Sequence, residues 1–229
     1  MAKRFDRPDT YRAEIAQLIP GYELIHQSIP YVLQAAAPNR DHIAVNGCGP
    51  GDELGRLAEV FPGARIEAFE PSAPMADCAR EYVEALGLQA HVTIHSLALR
   101  DSDPTPRFDL VTSILVGHLI PDDGNRVEYL DACTTRMREG AIALFVEMES
   151  MSLWQVESHV QLALERGLPL DRAPRLKQRL ADEFHGLSPA RSREIYDELG
   201  LESIGEFFRS FGFVGSLLRR TSRRSTADT

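Results

Sequence analysis

Cysteine is scarce in this 229-residue chain: Cys48, Cys78 and Cys133, an odd number with no close spacing. That argues against a disulfide framework and for a reducing, cytoplasmic setting. No CxxC pair or Cys/His cluster suggests a metal. The longest apolar stretch, Leu110 to Ile120, is broken by Thr112, Ser113 and His118 and is too short to span a bilayer. The N-terminus, MAKRFDRPDT, lacks the apolar core of a secretory leader. Basic residues are in deficit, with a formal net charge of −9, so nucleic acid and anionic membrane are disfavoured partners. The local exception is Arg219, Arg220, Arg223 and Arg224, at the start of and within a terminal segment (220–229) whose polar ending SRRSTADT reads as frayed and solvated. There is no internal repeat and no low-complexity linker.

What is present fits a single α/β domain spanning 1–229, with 43% hydrophobic and 26% charged residues. Residues 42–72 are the most informative. The apolar run Ile43, Ala44, Val45 enters a turn with glycines at 47, 49 and 51. Helix-compatible sequence follows over 52–61, and a second apolar run, Arg65 to Phe69, ends in Glu70. Strand, glycine turn, helix, strand, acid is the order of parts that a nucleotide-like cofactor needs. Glycine lets the backbone turn sharply and approach a ligand, a helix start offers free N–H groups, and an acid at the next strand's tip can accept ribose hydroxyls.

Residues 10–37 read as two helices broken at Pro20-Gly21, an N-terminal lid folded over the cofactor edge. The pattern then alternates: strand 42–48, helix 52–61, strand 65–70, helix 73–86 closed by Gly87, strand 91–97, strand 108–116, helix 123–138 capped by Gly140, strand 141–148. Repeated strand–helix units imply a parallel, doubly wound sheet. Residues 150–186 break the rhythm and read as a cap of two amphipathic helices. Ser188-Pro189 starts a helix running to Leu199. The closely spaced runs 203–211 and 213–218 read as an antiparallel hairpin at the sheet edge.

NAD is the obvious first ligand for a glycine turn. Three features favour S-adenosylmethionine instead: the G-x-G-x-G spacing, the single mononucleotide half, and the terminal hairpin. At this point the chain resembles the class I S-adenosylmethionine-dependent methyltransferases over nearly its whole length. VNGCGPG is similar to their first motif, AFEPS to the acid segment after it, FDLVTSILVGHLI to the fourth-strand region and MREGAIALFVEM to the following strand. Within that group IPGYELIHQSI, FEPSAPMADCAR and FFRSFGFVGSLL resemble segments of carboxy-S-adenosylmethionine synthases. The resemblance implies a Rossmann-like fold with a mostly parallel seven-stranded sheet, and a homodimer.

It also implies roles. Glu70 binds the ribose hydroxyls, with Pro71 and Ser72 flanking the adenine. Gly47, Gly49 and Gly51 wall the methionine portion. Tyr22 touches the carboxylate end or the sulfonium, unless it serves helix packing. Arg179 corresponds to an arginine that holds a carboxylate, or is a solvated member of the run RLKQR. Ser113 faces the cofactor from the fourth strand. His118 follows that strand, as a general base or as a packed histidine. Trp154 covers the substrate pocket or joins the core. The chain departs from the family pattern at Asn46, where an acid is usual, and at Leu97 and Ala98, where an acid for the adenine amino group is usual. The function implied is methyl transfer to a small molecule, with a place in secondary metabolism. The alternatives are remodelling of S-adenosylmethionine itself, by carboxyl transfer or by cyclisation to a four-membered amino acid with release of methylthioadenosine, and a non-catalytic binding subunit. For the cyclase, Asn46 would spare the amine an ion pair and leave it neutral.

Overall fold

The computed structural model describes residues 8–105 and 107–221. The chain opens with α1 (Pro8–Leu18) and α2 (Tyr22–Ala36), separated at Pro20-Gly21. Then come β1 (His42–Asn46), α3 (Leu54–Val60), β2 (Arg65–Phe69), α4 (Ala73–Ala85), β3 (Val92–His95) and β4 (Phe108–Ile114). α5 (Asn125–Thr135), β5 (Met137–Met148), α6 (Leu153–Glu165), α7 (Ala173–Gln178), α8 (Pro189–Glu198), β6 (Leu201–Ser210) and β7 (Phe213–Arg220) complete it. All seven strands form one sheet, in the order β3-β2-β1-β4-β5-β7-β6. β1 to β5 pair in parallel, whereas β7 runs antiparallel to both β5 and β6.

Parallel strands covered by helices on both faces bury nearly every residue. β1 and β2 do so after their first position. Ile43 and Val45 point into a core shared with α2, α3 and the cap helices α6 and α7. Ala44 points the other way, into a core built with α5 and α8. Strand order reverses between β1 and β4, and in open α/β sheets ligands bind at such a switch point, beyond the strands' carboxyl ends.

The hairpin and cap form where the sequence places them; the boundary near residue 138 does not. α5 stops at Thr135 and Met137 already belongs to β5, paired with Phe108. Thr134 and Thr135 turn their hydroxyls back onto the carbonyl of Asp131, which satisfies the helix end early. The Arg136 guanidinium then donates to Arg100 O and Ser102 O, pinning the chain to the short 3-10 turn after β3. Gly140 (φ +75°) therefore lies inside β5 and caps no helix. The basic segment divides: Arg219 and Arg220 are part of β7, while Arg223 and Arg224 lie outside the described residues. Among the described residues no helix is long and apolar enough to cross a membrane, and no His/Cys/Asp/Glu group could hold a metal ion.

Candidate functional site

Beyond β1 the chain turns through Gly47, Gly49 and Gly51, all at positive φ. Gly47 N and Cys48 N donate to Phe69 O at 2.8 and 3.2 Å, fastening the turn to the end of β2. At Gly47 (φ +79°) a side chain would strike Val116, its Cβ lying 2.6 Å from Cγ2. At Gly49 a Cβ would meet nothing within 4 Å, so that face of the loop is open. Two separate requirements thus fall on two glycines: close approach to the protein at 47, room for another molecule at 49.

Glu70 stands across from this opening. Its Oε2 accepts from Gly49 N and its Oε1 from Ser72 N, both at 2.9 Å. Burial raises its pKa, and the two N–H donors oppose that rise. A carboxylate has about four lone-pair positions. Two are used here, leaving one per oxygen, which suits a vicinal pair of hydroxyls. Ser72 is half-buried beside it and Pro71 is exposed.

Both N-terminal helices reach this loop. Tyr22 Oη donates to Asp52 Oδ2 at 2.7 Å. Arg12 pairs with the other Asp52 oxygen, donates to Pro50 O at 3.2 Å and lies over the Tyr82 ring. Burial, then the Asp52 carboxylate, push the Tyr22 phenol far above its ordinary range, so it acts as a donor. The pattern of the sequence singled out Tyr22 but not Asp52, which holds it.

Other expected site residues face elsewhere. Asn46 is buried and its amide nitrogen contacts Cys133 Sγ at 3.1 Å, on the α5 side of the sheet. Ser113 shares a hydrogen bond with Tyr129, also on α5. His118 is buried edge-on between Phe184 and Phe213, with ring centroids at 4.9 and 5.9 Å. Leu97 packs onto the second core, and Ala98 leads into a short 3-10 turn, accepting from Asp101 N. His95 stacks on Phe69 at 4.7 Å. Trp154 is 68% exposed at the start of α6, outside both cores. Arg179 lies half-buried, its guanidinium 5.0 Å from the Phe184 ring centroid.

Two acids whose carboxyls are pushed well up escape sequence reasoning. Glu147, on β5, accepts from Gly117 N at 3.1 Å and pairs with Arg126 at 3.2 Å. Glu53 lies under the glycine loop, where Thr112 Oγ1 donates to it at 3.1 Å. The signal for Glu147 is an acid between Val146 and Met148; Glu53 follows Asp52 and carries no such signal. Burial pushes the Glu53 carboxyl up to about 8, against the Thr112 hydroxyl, which favours the ionised form. The folded chain then keeps a proton that the unfolded chain releases near 4.5, so this group's contribution to stability is full at acidic pH and is lost as pH rises through about 8. Glu53→Gln abolishes that titration. The melting temperature of the variant relative to wild type should climb from pH 5 to pH 8, by up to about 4 kcal/mol in stability terms. A difference that stays flat with pH would show that Glu53 does not titrate there.

Residues 46–143 match the methyltransferase domain family. The match takes in the glycine loop and Glu70 and covers less than half of the chain. Among similar proteins, trans-aconitate 2-methyltransferase of Mycolicibacterium gilvum is 34% identical over 103 residues, covering 45% of this chain and 34% of that enzyme. The Rhodococcus jostii enzyme of the same name is 32% identical over 122 residues, covering 53% and 41%. The matched stretch is thus well under half of either relative's length. Human N-acetylserotonin methyltransferase, solved in complex with S-adenosylmethionine, has the same fold, with a TM-score of 0.55 at 17% identity over 97% of this chain and 60% of that one.

Proposed function

We propose that this chain transfers the methyl group of S-adenosylmethionine to a small-molecule acceptor. The observation that carries the reading is the Glu70 carboxylate, held by Gly49 N and Ser72 N with one lone pair free on each oxygen, beside a loop open at Gly49. In this reading Glu70 binds the ribose diol and the glycine loop lies against the methionine portion. Bound S-adenosylmethionine supplies an activated methyl group, so what remains for the protein is positioning and exclusion of water. Arg12 and Tyr22, both fastened to Asp52, hold α1 and α2 over the loop as a lid. His118 is enclosed by aromatic rings, so we assign it to packing under the cap and invoke no general base.

The relatives' names point to carboxylate-bearing acceptors as the first to try. Incubation with S-adenosylmethionine and a panel of mono-, di- and tricarboxylates should yield S-adenosylhomocysteine only when an acceptor is present. Methylthioadenosine and a new C4 amino acid from S-adenosylmethionine alone would replace transfer by cyclisation. No turnover and no binding would leave a non-catalytic subunit.

A further inference from the structure

Where β4 ends, the backbone takes an unfavourable course. Leu115 has φ +60°, a region that bulky L residues avoid. Such a conformation persists only where the surroundings enforce it, and it clusters at functional sites. Two hydrogen bonds to β5 enforce it here. Leu115 N donates to Val146 O at 2.8 Å, and Gly117 N donates to Glu147 Oε1 at 3.1 Å. Between these anchors stands Val116, half-buried. Its side chain presses on the glycine loop: a Cβ at Gly47 would lie 2.6 Å from Val116 Cγ2. The turn is therefore wedged between β5 and the glycine loop, at the point where strand order reverses.

Glu147 is placed to keep that wedge in position. Its side chain is 13% exposed and leaves β5 between Val146 and Met148. Arg126 donates to its Oε2 at 3.2 Å. The same guanidinium donates to Ile120 O at 2.9 Å, just past the short 3-10 turn Gly117–Leu119. The pair thus holds both ends of this segment, the carboxylate at Gly117 N and the guanidinium at Ile120 O. A side chain at position 117 would strike the Glu147 carboxyl, so glycine is what allows the contact. Enclosing a carboxylate is costly, and an apolar residue would fill this place in β5 without that cost. Stability alone does not account for an acid whose oxygen is aimed at the turn.

We infer that Glu147 is a positioning residue for the cofactor: through Gly117 N it keeps the strained Leu115–Gly117 turn closed on Gly47. It thereby backs the glycine loop where that loop lies against the methionine portion of S-adenosylmethionine. This rests on the transferase reading. Glu147 acts through Val116, not by contact with the cofactor. Without an acceptor for Gly117 N, Leu115 relaxes toward negative φ, Val116 withdraws from Gly47 and the loop loses its backing.

Calorimetry with S-adenosylmethionine tests this on wild type, Glu147→Leu, Val116→Ala and the double variant. Glu147→Leu should weaken binding about tenfold and Val116→Ala about fivefold. The double variant should stay near tenfold, because both changes break one chain of contacts; independent effects would multiply to about fiftyfold. Ile195→Val, which trims the second core on α8, should lower the melting temperature and leave affinity within about twofold. If Glu147→Leu does not fold, Gly117→Ala replaces it. That variant keeps both charges but pushes the carboxyl off the turn, and the same tenfold loss is expected. Wild-type affinity in Glu147→Leu or Gly117→Ala would overturn the inference. So would a fiftyfold loss in the double variant, or a loss in Ile195→Val as large as in Glu147→Leu. Each of these outcomes leaves the transferase reading standing. Absence of S-adenosylmethionine binding by wild type would overturn that reading, and this inference with it.

Discussion

Glu70→Ala is expected to weaken S-adenosylmethionine binding about a hundredfold, read by calorimetry. Each hydrogen bond to a charged acceptor is worth about 1.5–3 kcal/mol, and the reading gives Glu70 two of them. The substitution also releases Gly49 N and Ser72 N, whose partner it is in the structure. The glycine loop then keeps its fastening to Phe69 O but loses the one to the acid. Glu70→Gln separates these contributions. Its amide presents only one oxygen, so one of the two backbone N–H groups meets an NH2 instead of an acceptor, and at least a tenfold loss should remain. The group is 8% exposed and its burial is unfavourable for the ionised form. Removing it should therefore cost little global stability. Unchanged affinity in both variants would detach Glu70 from the cofactor and undermine the transferase reading with it.

The largest effect on stability is expected at Arg126, not in the candidate site. Its side chain is 1% exposed. The guanidinium donates to Ile120 O and His185 O at 2.9 and 2.8 Å and to Glu147 at 3.2 Å. It thus ties α5, the turn after β4, the end of the cap and β5 at one point. Arg126→Met leaves a buried carboxylate without its cation and two carbonyls without donors. Removing one partner of a buried pair costs about 3–5 kcal/mol. For a chain of this size that is a fall in melting temperature of about 10 °C or more. Burial raises the pKa of Glu147 and Arg126 lowers it. The variant should therefore lose further stability as pH rises from acidic toward neutral, because Glu147 must then ionise unaided. The double variant Arg126→Met, Glu147→Met should recover part of the loss. A double variant as unstable as the sum of the singles would show that the two residues act independently.

Glycine spacing and apolar runs made the glycine loop, Glu70, the parallel strands and the terminal hairpin legible before any coordinates. Each depends on local backbone preferences: positive φ at the turn, continuous burial in parallel strands, a short connection in the hairpin. The lid helices were legible for the same reason, through apolar periodicity and the break at Pro20-Gly21. Their anchor was not. Asp52 meets Tyr22 and Arg12 across 30 and 40 residues, and only the fold sets which charged side chain ends beside which. Asn46 and Ser113 were placed in the candidate site by position along the chain. Strand alternation and the packing of α5 turned both toward the opposite face. The same holds for α5 itself, whose helical pattern runs past Thr135 but yields to pairing of Met137 with Phe108. By itself, then, the sequence determined the order of elements, the loop and the acid at its mouth, because these follow from local geometry and hydrophobic burial. Only the tertiary structure decided which polar groups meet: the Asp52 latch and the Arg126–Glu147 pair join segments distant in the chain, and such pairings depend on topology that no local pattern encodes.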